Sequence, residues 1–175
     1  MLPIYSVSLK GKLTAISLVN HPAIEENFQA FNEMKELKMA YDEEKHIVFG
    51  PAIIPDKPIY RRDSNGREYY VVFTKDVIEE LFSNFMKNKA FNFDLEHSNK
   101  TANVYLLEAF IKRPGLNPVG YEDLPDGSMF ISLKVEDDDL WNSIKSGEFN
   151  GFSIECFVDL EPVDEMELLI NELLE

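Results

Sequence analysis

Asn150-Gly151-Phe152-Ser153-Ile154-Glu155-Cys156-Phe157 reads as a β-strand with two unlike faces. Alternation sets Gly151, Ser153, Glu155 and Phe157 on one side, and Phe152, Ile154, Cys156 and Val158 on the other. The second row buries and the first stays available. Gly151 leaves room beside the serine for another backbone to approach closely. Such a strand needs a sheet around it, and the chain on its N-terminal side supplies one.

Immediately upstream, Asp137 or Asp138 caps a short helix with Leu140, Trp141 and Ile144 inward and Gly147 as its stop. Before it lie a strand from Met129 to Val135 and a loop over 114–127 rich in proline and glycine, long for a compact domain and of the kind that borders sites. Residues 103–112 read as a strand with Val104, Leu106, Glu108 and Phe110 on one face, and a carboxylate in such a row needs a partner. Residues 91–97 alternate so that Phe91, Phe93, Leu95 and His97 face one way, which makes His97 the end of a buried row. Thr74 caps the clearest helix, where Val77, Ile78, Leu81, Phe82, Phe85 and Met86 recur at helical spacing.

Asp63-Ser64-Asn65-Gly66 signals a tight turn into a strand over 67–73. Residues 35–41 and 45–54 read as a second hairpin around Asp42-Glu43-Glu44. Residues 4–9 and 13–19 form either a hairpin or two short strands. Asn20-His21-Pro22 breaks the chain in a turn where His21 bonds local backbone, and 23–31 makes a short turn or helix. After Pro162, Met166, Leu169, Ile170, Leu173 and Leu174 mark an acidic amphipathic helix, which closes the core, pairs with a second subunit or is a removable tail. The division is thus 1–162 as one domain and 163–175 as a terminal helix or tail. The fold class is α+β, a mainly antiparallel sheet with a few helices.

At 175 residues the chain is long enough to bury a core without disulfides. Its single cysteine, Cys156, has no internal partner and fits a reducing compartment and a packed position. No apolar run approaches the ~20 residues of a membrane span, and no leader segment opens the chain. The net charge of −15 repels phosphate backbones, which argues against nucleic acid and leaves a basic protein partner open.

Three histidines and one cysteine lack the close spacings of a zinc site, and no glycine-rich loop opens a helix for a nucleotide. No cofactor or metal is expected. Paired carboxylates offer acid–base chemistry, but nothing ranks one pair above another. Nucleophilic catalysis is the remaining constellation. A serine hydroxyl becomes a useful nucleophile when an imidazole takes its proton and a third group orients that imidazole. Ser153 and His97 lie on faces that a sheet can bring together. The Gly-x-Ser-x-Gly elbow of α/β-hydrolases is absent, since Glu155 stands where its second glycine belongs.

Asp94-Leu95-Glu96-His97, Leu107-Glu108-Ala109-Phe110, Asp126-Gly127-Ser128-Met129-Phe130 and Trp141-Asn142-Ser143-Ile144-Lys145-Ser146-Gly147, leading into Gly151-Phe152-Ser153-Ile154-Glu155, occur in an order that resembles the prohead maturation serine proteases of tailed bacteriophages. Ala15-Ile16-Ser17-Leu18-Val19, Pro22-Ala23-Ile24-Glu25, Gly50-Pro51-Ala52 and Ile59-Tyr60-Arg61-Arg62 resemble one branch of that family. The likeness runs from about residue 4 to 160. It implies a fold similar to herpesvirus assemblin, an antiparallel sheet or barrel with flanking helices. It also implies an endopeptidase that cuts phage scaffold and major capsid proteins inside the immature prohead, in the host cytoplasm, with homodimerisation a reasonable expectation. His97 would be the general base and Ser153 the nucleophile. Glu108, where relatives often carry glutamate, would be the third member, with Glu155 on the serine's face as the alternative. Cys156 stands where close relatives often have glycine. The rival reading is a related domain without catalysis that joins scaffold to portal or shell.

Overall fold

The computed structural model describes residues 2–8, 11–20, 39–98 and 100–163. The His21 turn, the segment at 23–31 and nearly all of the C-terminal amphipathic stretch, 164–175, lie outside the described residues. The strands are β1 (Ile4–Val7), β2 (Lys12–Val19), β3 (Ala40–Asp42), β4 (Ile47–Ile53), β5 (Ile59–Arg62), β6 (Glu68–Val72), β7 (Phe93–Leu95), β8 (Lys100–Thr101), β9 (Val104–Ile111), β10 (Met129–Val135), β11 (Gly151–Phe157) and β12 (Leu160–Pro162). The helices are α1 (Lys75–Asn88) and α2 (Asp138–Lys145).

The strands form three four-stranded sheets, in the orders β12-β1-β6-β5, β3-β4-β10-β9 and β11-β2-β7-β8. Two pairings are parallel, β1 with β6 and β2 with β7, and the others are antiparallel. The molecule is therefore α+β and mainly antiparallel, and among the described residues no sheet closes into a barrel. β1 and β2 are consecutive but belong to different sheets, so they are two short strands and not a hairpin. β3 and β4 do form the hairpin expected around Asp42-Glu43-Glu44, and the turn signalled at 63–66 joins β6 to a further strand, β5, in a second hairpin. In the latter turn the Asp63 carboxylate accepts from the Asn65 and Arg67 amides, and Gly66 takes a φ of 80° that a side chain would oppose.

The helices follow their end signals. The Thr74 side chain accepts from the Val77 amide, and Asp137 does the same for Leu140. Gly147, at φ 82°, turns the chain out of α2 towards β11. Val77, Ile78, Leu81 and Phe85 of α1 and Leu140, Trp141 and Ile144 of α2 are buried in one core with Leu13, Ile16, Leu18, Met129, Ile131, Leu133, Phe152 and Ile154. Met86, on the expected apolar stripe, remains exposed, because the stripe is wider than the surface α1 packs on. A second aromatic stack, Phe49, Phe110, Phe130 and Tyr121, covers the other side of the β4-β10-β9 ribbon, where the 114–127 loop folds over it.

Two ladders carry bulges. In the β11–β2 pair, Glu155 faces Ala15 and Cys156 faces Leu13, which leaves Thr14 as the extra residue; its hydroxyl donates to the Glu155 carbonyl at 3.1 Å. In the β10–β9 pair, Ser132 faces Glu108 and Leu133 faces Leu106, which leaves Leu107 over. A bulge shifts the side-chain phase by one. Val104 and Leu106 therefore pack on the core together with Ala109 and Ile111, while Glu108 turns outward.

Removing the fully buried Phe85 ring should cost about 3–5 kcal/mol, and Thr74→Ala about 1 kcal/mol through the lost helix cap. Urea midpoints of the two variants against the parent protein measure both.

Candidate active site

The β11-β2-β7-β8 sheet is apolar on one face and polar on the other. Ile16, Leu18, Phe152, Ile154 and Phe93 point into the core. On the opposite face the pairings Ser153 with Ser17, Ser17 with Asp94 and Asp94 with Thr101 run straight across all four strands. Residues opposite one another on adjacent strands share a face, so these four side chains form one polar row. Glu155, paired with Ala15, lies one step along the same face.

His97 reaches this row from a turn, not from a strand. β7 ends at Leu95, and Glu96 and His97 both adopt left-handed backbone, at φ 53° and 52°. The expectation that His97 ends a buried row on a strand is thereby corrected: the chain reverses before it, and its side chain is 37% exposed. Two consecutive left-handed non-glycine residues cost roughly 1 kcal/mol or more each, and the turn is held by specific bonds. The Glu96 amide donates to the Leu18 carbonyl at 3.0 Å, and the Ser98 amide to the Leu95 carbonyl at 3.0 Å. The Asn20 amide donates to Glu96 Oε1 at 2.5 Å.

The imidazole then spans three partners. Nε2 lies 2.9 Å from Ser153 Oγ, while Nδ1 lies 3.0 Å from Glu155 Oε1 and 2.8 Å from Ser17 Oγ. Ser153 is 5% exposed and Ser17 fully buried, so the hydroxyls sit beneath the ring and the carboxylate lies beside it at the solvent edge. If Nε2 is to accept the Ser153 hydroxyl hydrogen, the neutral ring must carry its proton on Nδ1, and that N–H has two acceptors, Glu155 and Ser17. The chain Ser153 to His97 to Glu155 thus has the contacts needed for a hydroxyl to lose its proton as it attacks an electrophile.

Glu108 is not part of this cluster. It sits exposed on β9, in the β3-β4-β10-β9 sheet, and the hydrogen bonds of His97 go to Ser153, Ser17 and Glu155. The even spacing from Val104 to Phe110 suggested one face, but the bulge at Leu107 breaks that phase. Glu155, the alternative, is the carboxylate that meets the histidine. Ser17 was missed as a site residue, although Ala15-Ile16-Ser17-Leu18-Val19 carried a signal: a serine amid an apolar strand run, whose own face becomes meaningful only once β2 pairs with β11.

Cys156 lies on the far side of the strand from Glu155, half-buried against the core beside Arg61. Burial pushes its thiol up to about 11, with the Arg61 guanidinium pulling the other way. Burial also lowers the pKa of Arg61.

The arrangement has the donors and acceptors that serine-based hydrolysis requires. A family model described as "Putative phage serine protease XkdF" matches residues 34–161, and the chain belongs to that family. Among curated proteins and solved structures, none matches at a significant level.

With its thiol raised from 9.0 to about 11, native Cys156 holds about a hundredfold less thiolate near pH 8 than the unfolded chain. Alkylation by iodoacetamide should therefore be at least that much slower in the native protein. A raised acid pKa favours the protonated folded state, so any stability it contributes is complete below pH 9 and is lost as pH climbs towards 11. Native alkylation as fast as in denaturant would contradict the buried placement.

Proposed function

We propose that this protein is a serine endopeptidase of phage head maturation, with Ser153 as nucleophile, His97 as general base and Glu155 as the acid that orients the histidine. The observation that carries the reading is the 2.9 Å contact of Ser153 Oγ with His97 Nε2, continued by the 3.0 Å contact of Nδ1 with Glu155. The family match supports the phage serine protease class. Scaffold and major capsid proteins within the immature prohead are the proposed substrates, and an assemblin-like relationship of the fold is part of the same proposal.

In the first step Ser153 Oγ attacks the scissile carbonyl carbon while its proton passes to His97 Nε2. The ring becomes an imidazolium, whose Nδ1–H points at the Glu155 carboxylate, so the charge forms next to its counter-ion. The protonated Nε2 then gives its proton to the leaving amine as the C–N bond breaks, which leaves Ser153 acylated. Water, deprotonated by the same nitrogen, attacks the ester and restores the hydroxyl.

Ser17 acts in this scheme as a positioning residue. Its Oγ, 2.8 Å from Nδ1, is a second acceptor that holds the ring against rotation from the buried side, where no solvent competes. Glu155 and His97 are each 37% exposed, so water screens their attraction and the buried serine carries a larger share of the orientation than it would in a closed site.

The expected outcome is that Ser153→Ala abolishes cleavage of co-expressed head proteins and labelling by a fluorophosphonate probe, with the thermal midpoint retained. Glu155→Gln should lower kcat by about a hundredfold or more, whereas Glu108→Gln leaves it within about twofold. Labelling is the more direct measurement, because it requires only an activated serine. Equal labelling of the parent and Ser153→Ala proteins would overturn the assignment, and intact head proteins with an unlabelled parent would favour a non-catalytic head component. Ser17→Ala should lower kcat about tenfold with little change in KM and shift the pH profile, and Ser17→Thr should restore part of it.

A further inference from the structure

Asp94 is a buried carboxylate that the proposed chemistry does not use. It is 8% exposed, and its Oδ1 is shut off from solvent without a hydrogen-bond partner among the described residues. An unpaired carboxylate oxygen in such a place is costly, and native structures ordinarily satisfy it. Lys112, by contrast, is equally buried but has Asp126 at 3.4 Å.

Asp94 lines a cleft of about 400 Å³ on the polar face of the β11-β2-β7-β8 sheet, with Glu155, Thr101 and Ala15 around it and Phe91 and Val104 as apolar walls. Two carboxylates border this space, and among the described residues no lysine or arginine does. The cleft opens beside the same Glu155 that meets His97.

We infer that this cleft receives a lysine or arginine side chain of the polypeptide substrate, its charge held between Asp94 and Glu155 and its aliphatic stem laid against Phe91 and Val104. The inference rests on the serine-protease reading for the word substrate, and on the cleft alone for the chemistry. The volume, at the low end of ligand pockets, suits one long side chain. Amphipathic stems with charged ends match a cleft that is apolar at its walls and anionic at its floor. Among the described residues no three metal-binding side chains come together, so a metal ion has too few ligands here. A net charge of −15 draws basic segments towards the surface before they dock. Asp94 lies two strands from Ser153, about 10 Å at the usual strand spacing. An extended substrate covers that span in about three residues, so the basic side chain lies within about three residues of the scissile bond.

The test has two arms. In the first, ¹⁵N-labelled Ser153→Ala protein, which cannot turn over, is titrated with n-butylguanidinium and, separately, with n-pentanol as an uncharged analogue. Saturable shifts of the Asp94 and Thr101 amides with the cation alone are expected, and Asp94→Asn in the same background should weaken that binding about tenfold or more. Equal response to both probes, no response to either, or binding indifferent to Asp94→Asn would overturn the pocket. In the second arm, Ser153-intact protein is given peptide sets that differ only by arginine, lysine or norleucine at each position flanking the cut. Faster cleavage of the basic peptides, with the preference reduced about tenfold by Asp94→Asn, is expected. Cleavage without a basic preference overturns the inference. Cation binding in the first arm with no peptide cleaved in the second would instead keep the pocket and count against the protease reading.

Discussion

The site depends on one register, that of β11 against β2 against β7. With Ser153 opposite Ser17 and Ser17 opposite Asp94, one face of the sheet carries a polar row and the other carries Phe152, Ile154, Ile16 and Leu18 into the core. Side chains alternate strictly along a strand, so a slip of one residue would drive the hydroxyls into the core and the large apolar groups into water. Burial of that apolar face therefore sets the geometry of the polar row as well as the stability. The parallel pairing of β7 with β2 then delivers the turn at 96–98, and His97 with it, directly over the row.

Departures from regular geometry do the finer placement. The left-handed pair Glu96 and His97 folds the imidazole back over Ser17, which a continued strand would not do. The Thr14 bulge sits beside Glu155, where a local increase in twist can aim the carboxylate at the ring. The Leu107 bulge has the opposite consequence for the competing carboxylate, since it rotates Glu108 to solvent on a different sheet. Two bulges, each one extra residue, thus separate the two candidate acids.

The electrostatics of the polar face are uneven. Ser153 and Ser17 are buried hydroxyls, His97 and Glu155 lie at the water's edge, and Asp94 is buried with its Oδ1 lacking a hydrogen-bond partner among the described residues. A carboxylate in water is cheap to keep ionised, while one under the surface is not. The two hydroxyls are therefore shielded from water, the imidazole and Glu155 reach it, and the unpartnered oxygen of Asp94 lies under the surface beside them.

Much of this was legible in the amino-acid order. Alternation in 150–157 marked the serine strand and its buried face, the Thr74 and Asp137 caps marked the helices, and the motif order pointed to Ser153 and His97. These features are local: a strand's period, a cap's hydrogen bond and a turn's glycine depend on neighbours a few residues away. The assignment of β1 and β2 to separate sheets, the exit of His97 from its strand, the choice of Glu155 over Glu108 as the residue touching the ring, and the presence of Ser17 were decided by tertiary structure. Each depends on which strands pair and where a bulge shifts their phase. Those outcomes follow from how distant apolar faces pack together, and no single segment carries that information.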